Sequence, residues 1–75
     1  MKLPTDLSGR EVRAALERAG FVFRRQKGSH MVLRRDDPYS RVIVPDHKQV
    51  RQGTLRRILA EAGLSVDQFI QLVGR

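Results

Sequence analysis

Apolar residues recur at intervals of three and four after Ser8 and predict an amphipathic first helix. The apolar stripe consists of Val12, Ala15, Leu16 and Ala19. Ser8 and Glu11 have the spacing of a capping box, in which each side chain accepts a hydrogen bond from the backbone N–H of the other residue. Gly20 then stands where a residue in the left-handed conformation commonly ends a helix. The pattern therefore predicts both ends of this helix.

Three segments rich in aromatic and β-branched residues follow, and they predict strands at residues 21–25, 30–35 and 41–44. Residues 26–29 are predicted to form a turn, and residues 36–40 a loop because they contain Asp and Pro. In the second strand Met31 and Leu33 alternate with His30, Val32 and Arg34, so the two sets face opposite sides of the sheet. The short links favour an antiparallel meander.

Two further helices are predicted towards the C-terminal end. The first begins near residues 52–54, ends at Gly63, and has an apolar stripe formed by Leu55, Ile58, Leu59 and Ala62. Ser65 and Gln68 form a second capping box at the start of a short last helix. We expect the helices to pack on one face of a three-stranded antiparallel sheet and to leave the other face open. The predicted fold class is α+β, with the order α-β-β-β-α and a short extra C-terminal helix, in a single domain over residues 1–75.

The charge of the chain is concentrated in its middle. Residues 24–57 contain ten bases against three acids, which equals the whole formal net charge of +7. Arginine predominates among these bases, and its guanidinium group suits phosphate. This distribution favours a nucleic-acid partner over a membrane surface, because no helix combines a basic face with a large apolar one. The chain has no cysteine and no apolar run near the length of a membrane span, so we expect a cytoplasmic protein with no membrane partner.

His30 is the candidate catalytic residue. It is predicted to lie on the open sheet face, directly after Gly28 and Ser29, which let a ligand backbone approach closely and offer free N–H groups. Histidine can transfer protons near neutral pH, and the alternative explanation is a surface histidine without a role. His30, Asp46 and His47 lack the spacing typical of metal ligands, so we expect no metal site and no cofactor.

Lys27-Gly28-Ser29-His30 and the later run over residues 44–59 together resemble the two motifs of the HicA toxin family. Lys27-Gly28-Ser29-His30 is similar to the glycine-serine-histidine turn of that family. Residues 44–59 resemble its second motif, in which a strand ends in Pro, a His and a Lys follow, and Gly-Thr-Leu opens the next helix. Many members have a second histidine directly after the first; here that position is Met31. His47 matches a common family position, but we carry no catalytic role onto it.

The resemblance implies a fold like that of double-stranded-RNA-binding domains. It also implies a toxin that cleaves mRNA without a metal, with His30 as the essential residue and a HicB-like antitoxin as the inhibitor. We therefore predict an endoribonuclease that is monomeric when free, with RNA held by Arg24, Arg25, Lys27, Gly28, Ser29, Arg34, Arg41 and Lys48.

Two other functions fit the same residues. One is a non-catalytic module of the double-stranded-RNA-binding type, in which His30 is one contact among several. The other is an interaction protein whose basic face binds an acidic antitoxin.

Overall fold

In the computed structural model, which describes residues 2–74, the first helix α1 (Gly9–Arg18) begins directly after its predicted cap. Ser8 Oγ accepts a hydrogen bond from the Glu11 N–H at 3.1 Å, and Glu11 Oε1 accepts one from the Ser8 N–H at 3.0 Å. Gly20 follows the helix with φ of +96°, in the left-handed region. The capping box and the position of the helix end are both confirmed.

Three strands form one antiparallel sheet in the order β1-β2-β3: β1 (Val22–Lys27), β2 (His30–Asp36) and β3 (Tyr39–Pro45). The predicted loop at residues 36–40 is wrong, because Asp36 pairs with Tyr39 and Arg35 pairs with Ser40. Only Asp37 and Pro38 connect these strands. Ser40 is buried, and its hydroxyl donates a hydrogen bond to the Glu61 carbonyl at 2.6 Å. The Asp and Pro therefore mark a tight hairpin turn rather than a long loop.

The first hairpin contains an irregularity that the sequence pattern did not predict. Phe23 pairs with Leu33 and Arg25 pairs with Val32, so Arg24 is an extra residue in β1. Such a bulge bends a strand and changes the directions of its side chains. As a result Arg24 and Arg25 both lie beside Val32 on the face of the sheet away from the helices. The alternation assumed for a regular strand would have separated them.

The remaining elements are α2 (Gln52–Ala62) and α3 (Val66–Val73), and α3 begins with the predicted Ser65–Gln68 capping box. The predicted α+β fold, with its helices on one sheet face, is confirmed. Met31 and Leu33 are buried beneath the helices, as alternation predicts. No helix within residues 2–74 combines the length and the hydropathy that crossing a membrane would require.

The two adjacent arginines of β2 have different environments because they point to opposite sheet faces. Arg35 lies on the helix side, where its guanidinium donates to the carbonyls of Ala62 at 3.1 Å and Pro38 at 2.9 Å and stacks over Phe21. Arg34 lies on the open side and pairs with Asp36 at 2.9 Å. Arg35 therefore stabilises the fold, and Arg34 belongs to the open surface.

Candidate active site

His30 is the first residue of β2, and its side chain is exposed. Its strand partners are Lys27 on β1 and Pro45 on β3. Directly paired residues of antiparallel strands project to the same side of a sheet, so His30 lies between these two neighbours on the open face. This position agrees with the alternation predicted from Met31 and Leu33.

The turn that carries His30 is held by the segment that follows β3. The Asp46 N–H donates to the Ser29 carbonyl at 2.6 Å. Gln26 Nε2 donates to both the Gly28 carbonyl at 2.9 Å and Asp46 Oδ2 at 3.0 Å, and Arg10 Nε donates to Asp46 Oδ1 at 3.3 Å. These hydrogen bonds, first that from Gln26 and then that from Arg10, lower the pKa of the Asp46 carboxyl below its ordinary value. Asp46 therefore acts as an ionised bridge between α1, the Gly28–Ser29 turn and the end of β3.

The segment after β3 also contacts the start of α1. The Gly9 N–H donates to the His47 carbonyl at 2.8 Å, and Gly9 lies directly against the Pro45 carbonyl. The backbone of residues 45–47 is therefore held from two sides, by β2 and by α1. This arrangement fixes where the chain leaves the sheet and turns towards α2.

An open groove of about 470 Å³ lies between this end of the sheet and the start of α2. We call it the histidine groove. Its lining consists of the polar side chains of His30, His47, Gln49, Arg51, Thr54 and Arg57, together with the apolar Ile43 and Pro45. The groove thus combines both histidines of the chain with two arginines and no carboxylate. That composition suits a phosphate group near residues able to transfer protons.

Sequence patterns alone predicted no site that contains His47, Gln49, Arg51, Thr54 or Arg57. These residues are at least seventeen positions after His30, and only the pairing of β2 with β3 brings them to it. The local signals were the match of His47 to a common family position and the Gly-Thr-Leu start of the helix. The N-cap residue of α2, Arg51, makes no side-chain capping bond, in contrast to the serines that cap α1 and α3.

A second open groove, of about 430 Å³, lies further along the same sheet face. We call it the arginine groove, and it is lined by Arg24, Arg25, Val32, Arg34, Tyr39 and Arg41. Four positive side chains surround a small apolar patch, and Tyr39 is 66% exposed. Among residues 2–74, Arg24, Arg25 and Arg41 form no ion pair. This second groove is therefore strongly cationic.

The predicted RNA-binding residues fall into two groups. Arg24, Arg25, Arg34 and Arg41 meet in the arginine groove. The second group lies beside His30 in the first hairpin and consists of Lys27, Gly28 and Ser29. Gly28 has φ of +58°, and a Cβ atom added to it would have no neighbour within 4 Å. Lys48 is exposed in the segment before α2 but does not line the histidine groove. His30 and Arg34 are four residues apart on β2, which separates them by roughly 13 Å.

The carboxylate side chains of residues 2–74 do not line the histidine groove. Within the part of the chain that the structure describes, no group of three or more His, Asp or Glu residues lies close enough together to hold a metal ion. The carboxylate of Asp46 is directed to Gln26 and Arg10 instead.

One comparison with known proteins bears on this site. A family model described as the HicA toxin of bacterial toxin-antitoxin matches residues 9–64, which include every residue of both grooves. No curated protein matches the chain.

Proposed function

Since this chain belongs to the HicA toxin family, and is thus a toxin of a bacterial toxin–antitoxin system, we propose that it is an endoribonuclease that cleaves mRNA without a metal. His30 is the central catalytic residue of this proposal. The supporting observation is the histidine groove, where an exposed imidazole lies among arginine side chains. A HicB-like antitoxin is the proposed inhibitor, and the free toxin is proposed to be a monomer.

The proposed reaction uses the ribose of the substrate. The 2′-hydroxyl attacks the neighbouring phosphorus, the bond to the 5′-oxygen breaks, and a 2′,3′-cyclic phosphate forms. His30 transfers a proton at one of these oxygens, a role that histidine fills near neutral pH. Arg51 and Arg57 supply positive charge in the same groove, where it can stabilise the additional negative charge of the transition state.

The arginine groove extends the proposed contact with RNA. It lies on the same sheet face as His30, so one strand can pass from the histidine groove across Val32 to Arg24, Arg25 and Arg41. Guanidinium groups bind phosphate with paired hydrogen bonds, and Tyr39 offers an exposed ring on which a base can stack. The binding we propose is therefore stronger at low salt than at high salt.

The test compares wild type with His30→Ala on a long single-stranded RNA in excess EDTA. We expect the wild type to cut the RNA and leave cyclic phosphate ends, and the variant to lose the activity while keeping its fold, because His30 is exposed. A DNA strand of the same sequence is the matched substrate control, since it lacks the attacking hydroxyl.

Three results would contradict the proposal in different ways. Equal cleavage of DNA would exclude attack by the 2′-hydroxyl. Full activity of His30→Ala would remove His30 from the catalytic role. Tight RNA binding by both proteins without cleavage by either would identify a binding module instead of an enzyme.

A further inference from the structure

The proposed cleavage requires two proton transfers at different atoms. The 2′-oxygen must lose a proton as it bonds to phosphorus, and the 5′-oxygen must gain one as it leaves. A single imidazole cannot be deprotonated for the first transfer and protonated for the second at the same moment. His30 alone therefore leaves one side of the reaction without a catalyst.

His47 is the candidate for this second transfer. It lines the same groove as His30, and its side chain is likewise exposed. His30 pairs directly with Pro45, two residues before His47. Paired Cα atoms are about 5 Å apart and two residues span at most about 7 Å, so the Cα atoms of the histidines lie within about 12 Å of each other. Two imidazoles can contact opposite sides of one phosphate across that distance.

The backbone around the two histidines is held firmly enough to keep them facing one groove. The Asp46 N–H bonds to the Ser29 carbonyl, which links the residue before His47 to the residue before His30. The Gly9 N–H bonds to the carbonyl of His47 itself. The relative position of the two residues is therefore set by main-chain hydrogen bonds and not by the exposed side chains.

The charges near the two histidines differ and suggest which residue performs which transfer. His47 follows Asp46, whose carboxylate remains ionised and interacts electrostatically with it. His30 has Lys27 as its cross-strand partner. The anion lies on the His47 side of the groove and the cation on the His30 side, so we assign the proton-donating role to His47 and the proton-accepting role to His30. Arg51 and Arg57 line the same groove on its α2 side.

We infer that His47 is a second catalytic residue, the general acid that protonates the leaving 5′-oxygen, while His30 acts as the base; this inference rests on the proposed ribonuclease function. His30 takes the proton of the 2′-hydroxyl, the 2′-oxygen forms its bond to phosphorus, and the bond from phosphorus to the 5′-oxygen breaks. His47 gives its proton to that oxygen. The products are a 2′,3′-cyclic phosphate and a 5′-hydroxyl, and exchange with water restores both histidines.

A substrate with sulfur in place of the bridging 5′-oxygen separates the two roles. A thiolate leaves without being protonated, so this substrate does not need a general acid. We expect His47→Ala to slow cleavage of ordinary RNA by about 10²–10⁴-fold, the usual contribution of a general acid. On the sulfur substrate the same variant should cleave at nearly the wild-type rate, whereas His30→Ala should be slow on both substrates.

Two measurements distinguish catalysis from structure and binding. Thermal unfolding shows whether His47→Ala keeps its fold, and the affinity for a DNA oligonucleotide of the same sequence shows whether it still binds a strand. His47→Gln, which keeps a polar side chain without a titratable group, should behave like His47→Ala on both substrates.

Three outcomes would contradict different parts of this inference. If wild type cleaves RNA and His47→Ala cleaves it equally fast, the role of His47 is wrong and the proposed function stands. If His47→Ala loses the same factor on both substrates, His47 binds or positions the strand and is not the acid. If the wild type cleaves neither substrate, the proposed ribonuclease function fails and the inference fails with it.

Discussion

Gly9 is the position where a single methyl group should disturb this protein most directly. It is the first residue of α1 and is buried against the end of β3. A Cβ atom added there would lie 1.9 Å from the Pro45 carbonyl oxygen, 2.9 Å from its carbon and 3.0 Å from the Asp46 Cα. All three neighbours are backbone atoms, so no side chain can rotate away. Gly9→Ala therefore requires the helix start and residues 45–47 to separate by more than about 1 Å to reach ordinary contact distance.

Three effects determine how much Gly9→Ala should lower the free energy of unfolding. Overpacking a close contact typically costs about 1–3 kcal/mol. The separation also stretches the 2.8 Å hydrogen bond from the Gly9 N–H to the His47 carbonyl, and such a bond contributes about 0.5–1.5 kcal/mol. Alanine offsets part of this loss, because it favours a helix over glycine by up to about 1 kcal/mol. We expect a net decrease of about 0.5–4 kcal/mol in the free energy of unfolding, and each kcal/mol lowers Tm by roughly 4–8 °C.

Gly53→Ala is the matched control. Gly53 also lies in the first turn of a helix, α2, but a Cβ atom there would have no neighbour within 4 Å. This variant should be neutral or up to about 1 kcal/mol more stable than wild type. Urea or thermal unfolding of the two variants makes the comparison. Equal stability of Gly9→Ala and Gly53→Ala would refute the close contact on which the argument depends.

Three further predictions follow from individual contacts. Asp46→Asn should destabilise the protein at neutral pH. The folded-state pKa of Asp46 lies below the ordinary 3.8. The carboxylate therefore contributes to the free energy of unfolding above pH 3.8, and this contribution is lost as the pH falls through the folded-state pKa. The stability difference between wild type and this variant should therefore shrink in unfolding curves recorded at progressively acidic pH, and a constant difference would contradict the shift. Ser65→Ala removes the capping bond to the Gln68 N–H at 3.1 Å and should cost about 1 kcal/mol, measured by urea unfolding; a change under a few tenths would mean that the cap contributes little. Arg57→Ala should reduce the rate of RNA cleavage by about tenfold or more, since a charged hydrogen bond contributes about 1.5–3 kcal/mol. The control, Arg56→Ala, removes the same charge from outside the histidine groove and should retain most of the activity. Equal losses in the two variants would show that only net charge matters.

Local signals were enough to predict where α1 and α3 begin. A capping box involves residues three positions apart, so Ser8 with Glu11 and Ser65 with Gln68 can be recognised without knowing the rest of the fold. The faces of β2 were predictable for a similar reason, since alternation is a property of one strand. Both kinds of prediction were confirmed because the relevant interactions lie within a single element.

The predictions that failed or were missing depend on contacts between elements. The bulge at Arg24 arises from the register between β1 and β2, which a single strand does not contain. The hairpin at Asp37 and Pro38 was mistaken for part of a loop because turn-forming residues indicate a turn but not its length. The close approach of Gly9 to Pro45 involves residues that are 36 positions apart, and glycine in a first helical turn gives no sign of such a partner.

The histidine groove also depends on contacts between elements, which the pattern within one strand or helix does not reveal. His30 could be singled out because it follows Gly28 and Ser29 at the start of a strand, whereas His47 was marked by a family position to which no catalytic role was attached. Antiparallel pairing places the first residue of β2 opposite the last residue of β3, so the chain just after β3 must pass beside His30. The two-residue turn between β2 and β3 sets that register, and a register change by one residue would reverse the sheet face of every β3 side chain. The meeting of the two histidines is therefore a consequence of hairpin length, and an insertion between Asp37 and Pro38 that shifted the register would separate them without altering either residue.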